Sequence, residues 1–262
     1  MDIDVLKSYA LTILDYFLPR RCIVCDRILE RAESHLCGHC RSDIPHTYFW
    51  LIRNNPMADR FNSLIQKHLE DELSKDEETV ARERYAYAAA LFFYRTESGY
   101  VQITRQIKYR GDTDAGIYFG KILGERLASS KLFEDVDAII PVPLHWLRQW
   151  KRGYNQAEVI AEGVASRLGA PLRNDIIIRP HWTRSQTTLS IEEKSLNVSN
   201  AFSINKKWRS RAGADLEFRH ILLIDDIFTT GSTLMACFTA LRTVFPPDVR
   251  ISVATLGFVG GG

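Results

Sequence analysis

Long hydrophobic runs are missing from this 262-residue chain. No stretch stays apolar over the ~20 residues that a membrane-spanning helix needs. A charge excess is missing too. Against 32 Asp and Glu stand 34 Lys and Arg, leaving +2, so no global field draws the chain onto nucleic acid and any such contact needs a local patch. The start lacks the features of a signal peptide. Met1-Asp2-Ile3-Asp4 is acidic, the apolar stretch that follows contains Asp15, and no small-residue cleavage site comes after it. The expected location is cytoplasmic. Association with a membrane surface is the minor alternative, because the amphipathic helix expected over Val5 to Leu18 carries Leu6, Tyr9, Ala10, Ile13 and Phe17 on one face without a strongly basic opposite face. A nucleotide-binding P-loop is also absent. Gly116-Ile117-Tyr118-Phe119-Gly120-Lys121-Ile122 is one residue short, and Ile122 cannot ligate magnesium. There is no internal repeat and no low-complexity tract beyond Gly260-Gly261-Gly262.

Cysteine is scarce, and its placement is uneven. Four of the five fall as Cys22-x-x-Cys25 and Cys37-x-x-Cys40, with eleven residues between the pairs. Each knuckle sets two thiolates on one side of a tight turn, and two knuckles supply the tetrahedral sulfur set that zinc prefers. Disulfides and a redox pair are the weaker alternatives. His35 and His39 lie close by and are expected outside the ligand set, which four cysteines complete. So short a segment has little core of its own, and metal binding worth ~10–16 kcal/mol in zinc-finger peptides would hold it folded. A structural zinc ion is therefore expected, bound by Cys22, Cys25, Cys37 and Cys40. Cys237 stands alone in an apolar helical stretch and reads as a small buried hydrophobe.

From Arg82 onward the pattern alternates. Strands are expected at Tyr85 to Tyr94, Val136 to Ile140, Asp175 to Ile178, Ile221 to Ile224 and Val249 to Leu256. Helices are expected at Val101 to Tyr109, Gly116 to Ala128 and Gln156 to Leu168. Such alternation specifies an α/β fold with a doubly wound parallel sheet, which binds ligands at the carboxyl ends of its strands. The chain thus divides into an N-terminal helix and four-cysteine zinc module (1–55), a connecting segment (56–81) with an acidic, solvated run from Glu70 to Glu78, and the α/β domain (82–262).

The most informative stretch is Ile221-Leu222-Leu223-Ile224-Asp225-Asp226-Ile227-Phe228-Thr229-Thr230-Gly231-Ser232-Thr233. Four apolar residues read as a strand covered on both faces. Two acids follow, then a hydroxyl-rich turn, then a helix from Leu234. Backbone N–H groups and a helix N-terminus make an anion cradle there, and Gly231 admits close approach. Thr229, Thr230, Ser232 and Thr233 add hydroxyl donors. Asp225 and Asp226 cannot face a phosphate without repulsion. They suit a neighbouring sugar diol, so the ligand suggested is a ribose 5-phosphate. The alternatives are a strand capped by a plain turn, or a Walker B strand, which the missing P-loop excludes.

A second loop, from Pro141 to Gln156, carries Arg148, Lys151 and Arg152, suited to a pyrophosphate, and Gly153 before a helix. A solvated basic turn is the alternative. Trp146, Trp150, Tyr154 and Trp182 interleave with Arg148, Lys151, Arg152 and Arg184, as in grooves where bases stack and cations follow a strand's backbone. Core aromatics beside a basic rim are the plainer reading. A long polar stretch from Arg184 through Gln186-Thr187 to Phe202 has the length of a lid or of a surface excursion.

The Asp225 to Thr233 segment resembles the phosphoribosyl pyrophosphate (PRPP) motif of the type I phosphoribosyltransferases. Together with the Cys-x-x-Cys pairs, Lys108-Tyr109-Arg110-Gly111, Pro141-Val142-Pro143-Leu144, Arg152-Gly153-Tyr154-Asn155-Gln156 and Gln186-Thr187, it resembles the ComF (ComF/GntX) family of competence proteins over nearly the whole chain. Ile227-Phe228 departs from the small aliphatic pair usual in the motif. The resemblance implies a type I phosphoribosyltransferase-like fold and a part in DNA uptake during natural transformation. It implies that Asp225 and Asp226 bind ribose and carry any catalysis, that Thr229, Thr230, Gly231, Ser232 and Thr233 bind the 5-phosphate, and that Arg148, Lys151 and Arg152 meet pyrophosphate. Mg²⁺ would accompany PRPP. Partners implied are PRPP or a related sugar phosphate, single-stranded DNA at Trp146, Trp150, Arg152 and Arg184, and a DNA-uptake helicase or inner-membrane channel. An active phosphoribosyltransferase acting on an unidentified acceptor is the alternative function.

Overall fold

The computed structural model of this protein describes residues 19–73, 83–144, 150, 152–179, 201–210 and 218–260. Outside the described residues lie the expected helix Val5 to Leu18, the acidic residues 74–78, Trp146, Arg148, Lys151, Trp182, Arg184, Gln186, Thr187, and Gly261-Gly262.

The cysteine module comes first. Cys37 caps helix α1 (Gly38–Ser42), its sulfur accepting the Cys40 N–H at 3.4 Å. A 3₁₀ turn, Phe49–Leu51, leads into helix α2, Pro56–Leu73. The sequence suggested only a connection here. Its charge density hid a stripe of fully buried Met57, Ala58 and Phe61 with Ile65, which packs on the sheet. Pro56 suits a first helical position because its missing N–H has no intrahelical partner to lose. Asn55 supplies the cap. Its Oδ1 accepts the N–H groups of Met57 and Ala58 at 3.1 and 3.0 Å, and its amide donates to the carbonyls of Ile52 and Ala88 at 2.8 and 3.0 Å.

The chain continues as β1 (Ala88–Phe93), α3 (Val101–Tyr109), α4 (Thr113–Ala128), β2 (Ala138–Pro141), α5 (Gln156–Leu168), β3 (Ile177–Ile178), β4 (Ser203–Ile204), α6 (Lys206–Arg209), β5 (His220–Phe228), α7 (Ser232–Arg242) and β6 (Arg250–Phe258). The main sheet runs β1-β6-β5-β2 with every pair parallel. Successive residues of its strands enter opposite layers. Leu222, Ile224 and Leu256 pack with Phe119, Leu123 and Ile160 of α4 and α5. Ile221, Leu223 and Val253 pack with Phe61 of α2 and Phe238 of α7. The zinc module joins the first layer, where Tyr100 Oη donates to the Cys40 carbonyl at 2.8 Å.

Two strand expectations need correction. Only Ile177–Ile178 of the stretch Asp175 to Ile178 is extended, and it pairs antiparallel with β4 in a separate two-stranded sheet. The strand expected to end at Ile224 runs to Phe228, because β6 continues beside it and pairs Asp225 with Thr255 and Ile227 with Gly257. The acids therefore sit within the strand's last turn of pleat rather than beyond it.

Both outer edges of the sheet are covered. Along β1, Phe93 N–H donates to the Pro45 carbonyl at 2.9 Å, His46 bridges to Phe92, and the Thr47 hydroxyl donates to the Ala90 carbonyl. Along β2, Ile139 N–H donates to Pro171 and its carbonyl accepts from Arg173, at 2.9 and 2.8 Å. At the N-terminal end of β5, His220 lies between Asp135 at 2.6 Å and Ser252 at 2.7 Å. Burial holds the imidazole below its ordinary pKa. His220 and Ser252 are fully buried, and Ser252 Oγ also accepts the Tyr87 N–H at 3.1 Å, so this line staples strands together rather than presenting a nucleophile.

Helices α4 and α5 cross backbone against backbone. A Cβ at Gly120 would overlap the Ile160 carbonyl oxygen, and one at Gly163 would overlap that of Ile117. The crossing positions α5, whose first turn reaches the ligand end of the sheet. Gly120→Ala should therefore destabilise the protein by about 1–3 kcal/mol, the range for overpacking. Urea unfolding should show a lower midpoint at unchanged slope; an unmoved midpoint would contradict so tight a crossing.

Candidate functional site

At the carboxyl end of β5, the chain leaves the sheet through Thr229 and Thr230 and enters α7 at Gly231, whose φ is +84°. That left-handed conformation favours glycine, and an added Cβ would stand 2.8 Å from the Phe228 ring and 2.9 Å from Leu64 of α2. The hydroxyls of Thr230 and Ser232 are hydrogen-bonded to each other at 2.9 Å, and Thr230 Oγ1 accepts the Ser232 N–H at 3.4 Å. Arg60 of α2 supports this turn from outside, donating to the carbonyls of Thr229 at 2.8 Å and Val259 at 3.3 Å. A trans peptide points its C=O and N–H in opposite directions. With the Thr229 carbonyl held by Arg60, the Thr230 N–H points the opposite way within the peptide plane.

The acids are held differently from each other. Asp226 N–H donates to Asp225 Oδ1 at 2.9 Å. The Asp226 carboxylate meets Lys108 of α3, with Oδ2 2.7 Å from Nζ. Burial, then repulsion from Asp226, pushes Asp225 up to about 7, against weaker opposing effects of Lys108 and Arg179. Near neutral pH, then, Asp225 can hold a proton while Asp226 stays paired. The same burial, with Asp225 nearby, raises Cys237 well above the usual thiol range, consistent with a packing role for that fully buried residue.

A cavity of about 370 Å³ opens over this end of the sheet. Asp225, Asp226, Thr229 and Thr233 line it, as do Lys108, Arg152 and Arg179. It is also lined by the first turn of α5, so two helix N-termini, with their unpaired N–H groups, share one space. The stretch from Arg152 to Gln156 builds the α5 entrance. Gly153 turns at φ +81°. The Tyr154 hydroxyl donates to the Ile107 carbonyl, tying the loop to α3. Asn155 caps α5 by accepting the Ala157 N–H at 3.2 Å and donates to the Val142 carbonyl at 3.0 Å. Gln156 is only 4% exposed, and its Nε2 has no hydrogen-bond partner among the described residues.

Of the residues expected to meet ligand, Asp225, Asp226, Thr229, Thr233 and Arg152 line this one cavity. Thr230, Gly231 and Ser232 form the turn at its edge. Trp150 is exposed at 79%, two residues from Arg152. Sequence reasoning missed Arg60 and Arg179, which no local pattern marks. It left Lys108 without a role, although the Lys108-Tyr109-Arg110-Gly111 motif had singled it out.

In the N-terminal module, the sulfur atoms of Cys22, Cys25, Cys37 and Cys40 all lie within 4.8 Å of one another. Four converging thiols are the donor set of a structural zinc site. His35 turns away, its ring 4.9 Å from that of Tyr118 and its Nδ1 4.0 Å from Asp112. His39 is exposed on α1 and lies outside the sulfur group.

A parallel sheet with an acid pair and a glycine-hinged anion cradle, preceded by a four-thiol module, defines a phosphoribosyltransferase-type domain with a zinc ribbon. Comparison with known proteins finds both kinds of domain. Residues 155–257 match the phosphoribosyl transferase domain family, and residues 13–48 match the double zinc ribbon domain family. Competence protein F of Haemophilus influenzae is 28% identical over 245 residues, covering 90% of this chain and 96% of its own length. Competence protein ComFC of Bacillus subtilis is 28% identical over 130 residues, 49% of this chain and 48% of its own. DNA utilization protein YhgH of Escherichia coli K12 is 32% identical over 98 residues, 37% of this chain and 40% of its own. The chain is thus a homologue of competence protein F that carries a phosphoribosyl transferase domain and a zinc ribbon.

Two measurements check these sites. Elemental analysis should find one zinc per chain, and Cys37→Ser should lose it together with the folded environment of Trp50, which shares the module's core. Retained zinc at full occupancy would refute the assignment of Cys37. The second concerns Asp225. Its folded pKa of about 7 exceeds the unfolded value, so the native state binds the extra proton and stability falls as pH rises from about 4 to 7. Asp225→Asn removes that loss. Its Tm advantage over the wild type should grow by several degrees between pH 5 and pH 8, given about 2–4 °C per kcal/mol for a chain of this size; a constant difference would refute the raised pKa.

Proposed function

We propose that this protein acts in DNA uptake during natural transformation, binding PRPP or a related sugar phosphate in the cavity over β5 and single-stranded DNA at its basic, aromatic rim. The observation that carries the reading is the convergence of the acid pair, the Thr229 to Thr233 turn and three cations on one cavity. In this reading the α7 N-terminus and its hydroxyls hold the 5-phosphate, and Asp225 and Asp226 accept hydrogen bonds from the ribose hydroxyls. Arg152, with Lys108 and Arg179, meets the diphosphate, as would Arg148 and Lys151. Asp226 is already engaged by Lys108, at 2.7 Å. Magnesium would be held by the diphosphate and ribose oxygens, where it neutralises leaving-group charge. The names of the competence and DNA utilization relatives support the biological role. Trp150 and Arg152 support a strand contact at this rim, with Trp146 and Arg184 as its further members. A helicase or an inner-membrane channel of the uptake machinery is the protein partner that follows from this role.

An active phosphoribosyltransferase is the second reading, favoured by the intact acid pair and phosphate turn. In it the chain's residues bind and orient the sugar while cations take up charge on the departing diphosphate, and none need act as a nucleophile.

Calorimetry with PRPP and Mg²⁺ tests the shared premise. The wild type should bind, and Asp225→Asn/Asp226→Asn should weaken binding by about 10–100-fold, the loss expected for hydrogen bonds to charged groups. No heat with the wild type would remove the sugar-phosphate reading. A labelled single strand should bind with log K falling by about 0.7 per phosphate neutralised against log salt; salt-insensitive binding would remove the strand reading. Diphosphate release above background with candidate acceptors separates the second reading from the first.

A further inference from the structure

Among the described residues, the two most exposed large hydrophobic side chains are Trp150 and Tyr109, the latter at 73%. One of them stands at the cavity over β5. Tyr109 lines it directly, and Trp150 precedes by two residues Arg152, which also lines it. Arg152 joins them, its guanidinium lying 5.4 Å from the centre of the Tyr109 ring. A large aromatic side chain left in water forgoes burial, so one at a cavity mouth, with a cation beside it, calls for an explanation that scattered surface residues do not.

The mounting of Tyr109 is firm. It is the last residue of α3, and the preceding Lys108 is anchored on Asp226 at 2.7 Å. Two residues back, the Ile107 carbonyl accepts the Tyr154 hydroxyl. The chain then turns away at Gly111, at φ +74°. The ring is therefore a fixed, flat platform, with a cation to one side and most of its surface open to solvent. Its chain neighbour Lys108 holds Asp226, and Tyr109 lines the same cavity as the acid pair.

The geometry points to Tyr109 as a stacking platform for a planar nucleobase, seated at the rim of the cavity that the acid pair lines. The inference rests on the sugar-phosphate reading of the cavity, and it names the ring system that reading lacks. A nucleobase offers a π face that stacks on tyrosine whatever its sequence identity, and Arg152 adds a cation to the stack. The base could arrive free or as part of a DNA strand; the chemistry at Tyr109 is the same.

The test uses the full-length zinc-loaded protein and two probes, free adenine and a fluorescently labelled dodecamer of thymidine, with Tyr109→Ala and Tyr109→Trp. Tyr109 is exposed, so both variants should keep the wild-type circular dichroism. Tyr109→Ala should weaken the probe that binds by about 5–100-fold, matching the 1–3 kcal/mol of one stacked base, and Tyr109→Trp should restore it to within about threefold. The probe that responds identifies the source of the base. Equal affinity in Tyr109→Ala and wild type, or failure of Tyr109→Trp to restore binding, overturns the assignment. So does a wild type that binds neither probe. PRPP calorimetry on the wild type, run alongside, is scored separately. Absence of its heat counts against the sugar-phosphate reading, while the Tyr109 series still decides the platform.

Discussion

Two carboxylates adjacent in one strand are an electrostatic liability, and the way it is met organises this end of the molecule. Asp226 takes a lysine from α3, while burial and its neighbour make Asp225 hold its proton to near neutrality. Neither solution is local. Lys108 reaches the pair because α3 is packed on the sheet through Ile103 and Ile107 and is tied by Tyr154 to the entrance of α5. Helix α5 in turn is set by its glycine-lined crossing with α4. A strand buried on both faces would otherwise have small tolerance for charge. The pair persists because helices on one face converge to supply counter-charge and caps.

The opposite end of β5 meets its buried polar groups in another way. His220 and Ser252 are fully buried and bonded to each other, and His220 passes the line on to Asp135, whose carboxylate is half exposed at the surface. The contrast separates structural from functional polarity on one strand. At the amino end the buried polar groups are bonded to one another and to a surface carboxylate; at the carboxyl end they line an open volume, with the Gln156 amide donor left without a hydrogen-bond partner among the described residues.

Much of this was legible in the sequence. Helices α3 and α5 match their expected spans, because their apolar spacing is regular and their ends carry glycine or asparagine. The cysteine knuckles and the strand-acid-hydroxyl-glycine order were visible because each is written in a few consecutive residues. The failures have physical causes. Helix α2 reads as a connection in the sequence because its charged residues outnumber the apolar stripe that packs it. Ile177 and Ile178 have strand-like composition, but composition does not state which partner a strand finds, and they pair with Ser203–Ile204. Arg60 lies 169 residues from the turn it supports, so no window of sequence could join them. Lys108 and Arg179 are of the same kind: ordinary cations until the fold brings them to one cavity.

The covering of β1 bears on how far the molecule can be divided. Residues Pro45 to Thr47, on the way out of the zinc module, occupy the strand's free side and take up its unpaired N–H and C=O groups. An experimenter who trims the chain to its α/β portion removes that cover. What remains is an apolar strand, Ala88-Ala89-Ala90-Leu91-Phe92-Phe93, with one side bare, a template for pairing with its counterpart in another molecule. The ribbon is thus a guard against self-association as well as a metal site, and shortened versions would carry an edge open to pairing between copies.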